Sequence, residues 1–333
     1  MRLNSILKGQ GFTLALIGAV VLAVLFPDPG AGGGILKTEV TTKALVALTF
    51  LIQGLSLPTR RILDSAAKIK LHAFCQLSNF VLAPIAMLGL LAIFGGYLQE
   101  GIYLGAIYLS VLPATISSAI ILTGNADGDS SAALFSTTLS NALGVFATPI
   151  LCSILLRTSG EAEISSLGTL ISKLSMLVLL PLVIGQIMRR FVRDWAARSK
   201  SLFKKTSNGA IVFIVYAAFC NSVENDTWSQ VGFDNIISTI LFSLLFLAVF
   251  SLLVWVISPL AARDHSERIA AFFCGSQKTL AAGVPMASVI FSSMPELNKS
   301  VLGLILLPLM CYHPAQLLLA GFLIPIFKKI SAN

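Results

Sequence analysis

Within 272-FFCGSQKTLAAG-283, Ser276, Gln277 and Lys278 interrupt an otherwise apolar run. A lysine at the centre of a bilayer costs roughly 3 kcal/mol on insertion scales. Apart from Glu39, at the very start of one, no Asp or Glu lies in the apolar segments of the chain. The charge of Lys278 must therefore be met by carbonyls, hydroxyls, water, a bound anion or loss of its proton. A second interruption is 110-SVLPATISSAIILTGNADG, where Pro113 stands close to Thr115, Ser117 and Ser118. A broken helix in hydrocarbon leaves N–H and C=O groups that protein or trapped water must satisfy. If two such breaks meet, the positive half-helix ends attract an anion, while unwound carbonyls and hydroxyls suit a cation. Taken singly, each hydroxyl is better explained by a bond back to its own helix, and the cluster of three beside a proline shifts that balance. The amides Gln53, Gln76, Asn79, Asn141, Gln186 and Gln277 are also costly in lipid and are expected to face inward. Other chemistry finds no support: G-x-S-x-G, H-E-x-x-H and P-loop patterns are absent from the sequence, so neither an enzyme nor ATP-driven transport is expected. The run 125-NADGD-129 lacks the remaining ligands of a calcium loop and reads as a solvated turn.

The elements that hold these residues follow from composition. Of 333 residues, 56% are hydrophobic and 11% charged, against about 25% charged in a soluble domain; the mean hydropathy is +0.88. An all-α integral membrane protein is the class that accommodates this. The five cysteines lie in apolar segments without CxxC spacing and read as packing residues. Ten segments are apolar enough to span: 11–27, 39–57, 70–95, 102–125, 131–156, 166–188, 206–223, 235–258, 268–293 and 300–327. The first reads as a span and not a signal peptide. With the N-terminus in the cytoplasm, 17 of the 23 Lys and Arg fall on the cytoplasmic side, including Arg60, Arg61, Lys68, Lys70 and the cluster from Arg189 to Lys205. That bias predicts both termini inside. The net charge of +8 is an orientation signal and does not point to nucleic acid. The fourth segment of the first five and the fourth of the second five are the interrupted ones. Residues 1–160 and 161–333 are accordingly expected to be two five-helix repeats of opposite orientation, a pattern of secondary transporters.

The stretches 112-LPATISSAIILTGNADGDSSAALFSTTLSNALGVFATP-149 and 273-FCGSQKTLAAGVPMA-287 resemble the bile acid:sodium symporter family, and within it the bacterial, plant and animal relatives of the seventh vertebrate member. The resemblance covers most of the chain. It implies ten helices in two inverted repeats, a panel and a core domain, and crossed, discontinuous helices four and nine. It further implies sodium behind the crossing and an organic anion in the cavity between domains. Carried over by position, Thr115, Ser117, Ser118, Thr137, Asn79 and Gln277 are the expected ion ligands. Lys278, Ser276, Thr279 and Ser118 are the residues expected to meet the solute. Two departures stand out: Ala133 occupies a serine-ligand position, and Phe273 occupies that of a cation-binding glutamate. Lys278 follows Gln277 where asparagine is usual. The expectation is that its ammonium takes over part of the structural work of a sodium ion.

The function expected is secondary active transport of an organic, anionic solute by alternating access, coupled to sodium or protons. The protein would be multi-pass in the inner (plasma) membrane, with no cofactor besides sodium. The rival is a non-transporting regulator on the same fold that binds a lipid or partner.

Overall fold

The computed structural model describes residues 11–56, 67–158, 175–225, 232–291 and 301–331, and the regular structure among them is helical. In chain order the helices are α1 (Gly11–Leu25), α2 (Thr38–Ser56), α3 (Ile69–Leu77), α4 (Ala83–Phe94), α5 (Glu100–Ser110), α6 (Ser117–Asn125) and α7 (Ser130–Thr158). There follow α8 (Leu180–Phe191), α9 (Arg193–Arg198), α10 (Lys200–Glu224), α11 (Phe233–Ile257), α12 (His265–Ser276), α13 (Leu280–Phe291) and α14 (Leu302–Ser331). Among the described residues, five helical stretches are long and apolar enough to cross a membrane: Ile69–Tyr97, Ser130–Leu156, Lys200–Glu224, Asp234–Leu260 and Leu302–Ile330. The protein is thus an all-α integral membrane protein. Helix also falls on the other five apolar segments, where it is shorter, less apolar or broken. Arg2, Lys8, Arg60, Arg61, Lys173 and Lys299 lie outside the described residues, as do residues 226–231.

Two helices begin on a widened turn, and a proline accounts for both. Ser78–Leu82 forms a π turn between α3 and α4, and Ser175–Leu179 forms one before α8. Pro84 and Pro181 are each the second residue of the helix that follows. Proline has no N–H to continue the i→i−4 ladder, so the preceding turn opens.

By internal contacts the chain divides into two compact units. One comprises Met1–Leu57, Ala162–Gly232 and Val284–Leu306. In it α2 and α8 approach through Gly54 and Gly185. A methyl added to Gly54 would strike the Leu182 carbonyl, and one on Gly185 would strike that of Leu51. Small residues let helix backbones come this close in lipid. Gln186 uses the approach, its Nε2 donating to the Gly54 carbonyl at 2.9 Å. The guanidinium of Arg189 donates to the Leu55 carbonyl.

The other unit comprises Pro58–Glu161, Phe233–Gly283 and Leu307–Asn333. Its α7 and α12 are both capped by aspartates. Asp129 Oδ1 accepts from the N–H groups of Ser131 and Ala132, each at 2.9 Å. Asp264 Oδ1 accepts from Glu267 N at 2.8 Å, while Glu267 Oε2 accepts from Arg263 N at 2.9 Å. Such reciprocal caps satisfy donors at a helix start. Lys68, just before α3, joins the two ends, with Nζ 2.7 Å from both Asp129 Oδ2 and Glu267 Oε1. The 125–129 run is therefore an ion-paired cap, a role its sequence did not reveal. Burial opposes the charge on Lys68, yet the two carboxylates outweigh that and raise its pKa. Burial likewise disfavours charge on Asp129 and Glu267, but Lys68 and the backbone N–H donors hold both below the usual carboxylate range.

Candidate functional site

The two interrupted segments meet inside the second unit. α5 stops at Ser110 and α6 starts at Ser117; α12 stops at Ser276 and α13 starts at Leu280. Gln277 takes the extended conformation, with φ −90° and ψ 137°. A backbone hydrogen bond of 3.0 Å runs from Thr279 N to the Pro113 carbonyl and ties one break to the other.

Pro113 lacks an N–H, and 111–116 cannot continue the helix, so consecutive carbonyls lose their usual partners. Each finds another. The Ser110 and Leu112 carbonyls accept from Lys278 Nζ, both at 2.8 Å. That of Val111 accepts from Thr148 Oγ1 at 2.8 Å. Pro113 O takes the Thr279 N–H, and Ala114 O takes Asn141 Nδ2 at 2.7 Å. Ala114 N in turn donates to Ser140 Oγ at 3.0 Å. On the other break, Tyr312 OH donates to Ser276 O at 2.8 Å. Gln316 clamps the Lys278 peptide: its Oε1 accepts from Lys278 N at 2.8 Å and its Nε2 donates to Lys278 O at 2.9 Å. The same Nε2 lies 2.9 Å from His313 Nδ1. Tyr108 OH donates to Gly283 O at 2.6 Å.

The third acceptor of the Lys278 ammonium is the Asn79 carbonyl, also at 2.8 Å. This carbonyl is free because of the π turn. Ala83 N, its α-helical partner, is bonded to Ser78 O instead, and the next residue, Pro84, has no N–H. Asn79 Nδ2 donates to Cys75 O and Cys274 O, each at 2.8 Å, which holds the π turn against α12. Gly275 allows the approach, since a Cβ there would lie 3.3 Å from that of Ser78. An ammonium has three N–H donors and no acceptor. Here three carbonyls meet it, and the side chain is 0% exposed. The Phe250 ring adds a cation–π contact at 5.4 Å.

The remaining expected residues divide into groups. Thr115, Ser118 and Gln277 come together: Ser118 Oγ lies 2.9 Å from Thr115 Oγ1 and 3.4 Å from Gln277 Oε1. Ser117 is exposed at the start of α6. Thr137 donates back to Ala133 O at 2.7 Å. Ser276 does the same to Phe272 O at 2.7 Å. Thr279 caps α13, its Oγ1 accepting from Ala282 N at 3.4 Å. A cavity of about 10 Å³, lined by Ser251, Ser276, Gln277 and Gln316 with Phe272 and Phe273, lies beside the break. It has room for roughly one water molecule. The Phe273 ring is fully buried and packs edge-on against Phe272 and Phe327, at centroid distances of 5.2 and 5.8 Å. An aromatic cluster therefore fills the position from which a carboxylate was expected to be missing. Reading the sequence missed Gln316, Tyr312, Tyr108, Ser140 and Thr148. For the first two, the polar spacing of 312-YHPAQ-316 within an apolar helix was the available signal.

Residues 10–329 match the model of the SBF-like CPA transporter family. The "Putative symporter YfeH" of Escherichia coli (strain K12) is 34% identical, with 96% of this chain and 92% of that protein covered. The sodium/bile acid cotransporter 7 of Rattus norvegicus is 34% identical over 99% of this chain and 95% of its own length. The sodium/bile acid cotransporter 7 of Danio rerio is 31% identical, covering 98% of this chain and 96% of that protein.

Proposed function

The chain belongs to the SBF-like CPA transporter family, and from that premise we propose that it is a secondary active transporter for an organic, anionic solute. It works by alternating access, coupled to sodium or protons, in the inner (plasma) membrane with both termini cytoplasmic. The two halves, 1–160 and 161–333, are inverted five-helix repeats giving ten spans. Helix on each of the ten apolar segments, with breaks in the fourth and ninth, supports that layout. The carrying observation is the direct junction of the two breaks, Thr279 N to Pro113 O, inside a buried polar cluster. A helix broken at this depth needs many compensating bonds, and transporters place such breaks where solute and ion bind. On this reading, Ser118, Ser276, Thr279 and the Lys278 region face the solute. Thr115, Ser117, Ser118, Thr137, Asn79 and Gln277 provide the oxygens around a coupling ion.

The test is counterflow of organic acids in proteoliposomes, with sodium and pH varied independently. Ser118→Ala and Gln277→Ala should each lower uptake at least about tenfold, the loss expected from roughly one charge-assisted hydrogen bond. Their melting temperatures should stay near that of the unsubstituted protein. A solute that stabilises the protein yet shows no counterflow would transfer support to a regulator on the same fold.

A further inference from the structure

We infer that Lys278 is a tethered cation: its ammonium permanently fills a monovalent-cation site built from the Asn79, Ser110 and Leu112 carbonyls, so no free sodium ion is needed there. The inference deepens the transport reading and rests on it for its consequence for coupling. The site itself stands on geometry alone.

Three carbonyls from two separate elements converge on one point, each 2.8 Å from Nζ. None has a partner within its own helix. The Asn79 carbonyl is orphaned by the π turn and Pro84, and the other two by the end of α5. Orphaned, convergent, buried carbonyls are what a dehydrated alkali cation or an ammonium requires of its ligands. No carboxylate takes part: among the described residues, ion pairs form at Lys68 and Lys328 and none at Lys278. The charge is instead balanced by backbone dipoles and the face of Phe250. The lysine is also locked from its backbone side, since Gln316 holds both its N–H and its C=O. The cation and its mount thus link the π turn after α3, the end of α5, the break after α12, and α14. An ion that is part of the chain cannot be exchanged, so this position contributes no sodium to the coupling stoichiometry.

The test uses the purified full-length protein in detergent, melted in sodium, potassium or choline chloride at equal ionic strength. In a Ser118→Ala background, which removes a ligand of the separate coupling-ion cluster, the melting temperature should be the same in all three, within about 1 °C. Lys278→Ala removes the four atoms of a propylammonium and leaves the carbonyls empty. It should melt at least about 5 °C lower, and propylammonium or sodium should restore part of the loss while choline does not. Lys278→Met keeps the length without the charge and should melt low in every salt. The inference is overturned if sodium stabilises the wild type as much as it does Lys278→Ala. Lys278→Met melting with the wild type would overturn it, as would a folded Lys278→Ala indifferent to both cations. Should neither variant fold, Ser118→Ala, which keeps Lys278 and lacks a coupling-ion ligand, decides: indifference to sodium supports the tethered cation and stabilisation by sodium refutes it. A failure of counterflow with these melting results intact would remove the transport reading and leave the site standing.

Discussion

A buried amide that pairs with both ends of one peptide has little redundancy, and Gln316 is such a residue. Gln316→Ala would leave the Lys278 N–H and C=O buried without partners. Each orphaned group costs about 1–3 kcal/mol, so a loss of about 2–4 kcal/mol is expected on chemical denaturation in detergent. The Lys278 side chain keeps its three acceptors in that variant, so its response to sodium should match that of the unsubstituted protein. At this scale the sequence was partly legible. Lys278 and Gln277 were conspicuous because polar groups in an apolar run must be answered. Their partners were not, because the answering atoms are carbonyls, which every residue carries. Nothing in the letters 79, 110 and 112 marks their carbonyls as unpaired.

Among the elements, the breaks themselves were readable: proline and clustered hydroxyls marked 111–116, and glycine with three polar residues marked 277–279. The π turns were not, although Pro84 and Pro181 were visible, because proline at the start of a helix is ordinarily unremarkable. Helix approach in the first unit depends on Gly54 and Gly185, which meet backbone to backbone. Gly54→Leu or Gly185→Leu must push α2 and α8 apart and break the Gln186 and Arg189 bonds to α2. Overpacking of this kind costs about 1–3 kcal/mol. Thermal melts should show that loss for either variant, and the double variant should lose less than the sum because both relieve the same approach.

For the whole molecule, Lys68, Asp129 and Glu267 set the response to pH. The two depressed carboxylates stabilise the fold above about pH 4, the unfolded range of such groups, and that contribution is lost as pH falls through their lower folded values. Lys68, being raised, contributes fully below about pH 10.4 and loses its contribution as pH rises through its higher folded value. Stability should therefore be flat through neutrality and fall in acid. In Lys68→Met the neutral plateau should drop by about 1–2 kcal/mol, and the acid fall should shrink because the carboxylates lose their main charged partner. An acid limb as steep in the variant as in the wild type would exclude this account. Lys68 pairs across 61 residues with Asp129, and Lys278 reaches Asn79 across 199. Charge counts and apolar segments, being local sums, gave the membrane class; these long-range pairs have no local signature. Pro84 exemplifies this. Any residue with a backbone N–H at 84 would bring a rival donor five positions along from the Asn79 oxygen, where a widened turn places its bonds. The helix could then reclaim that oxygen and leave the lysine with two acceptors. A proline that belongs to neither break thus acts as the custodian of the junction.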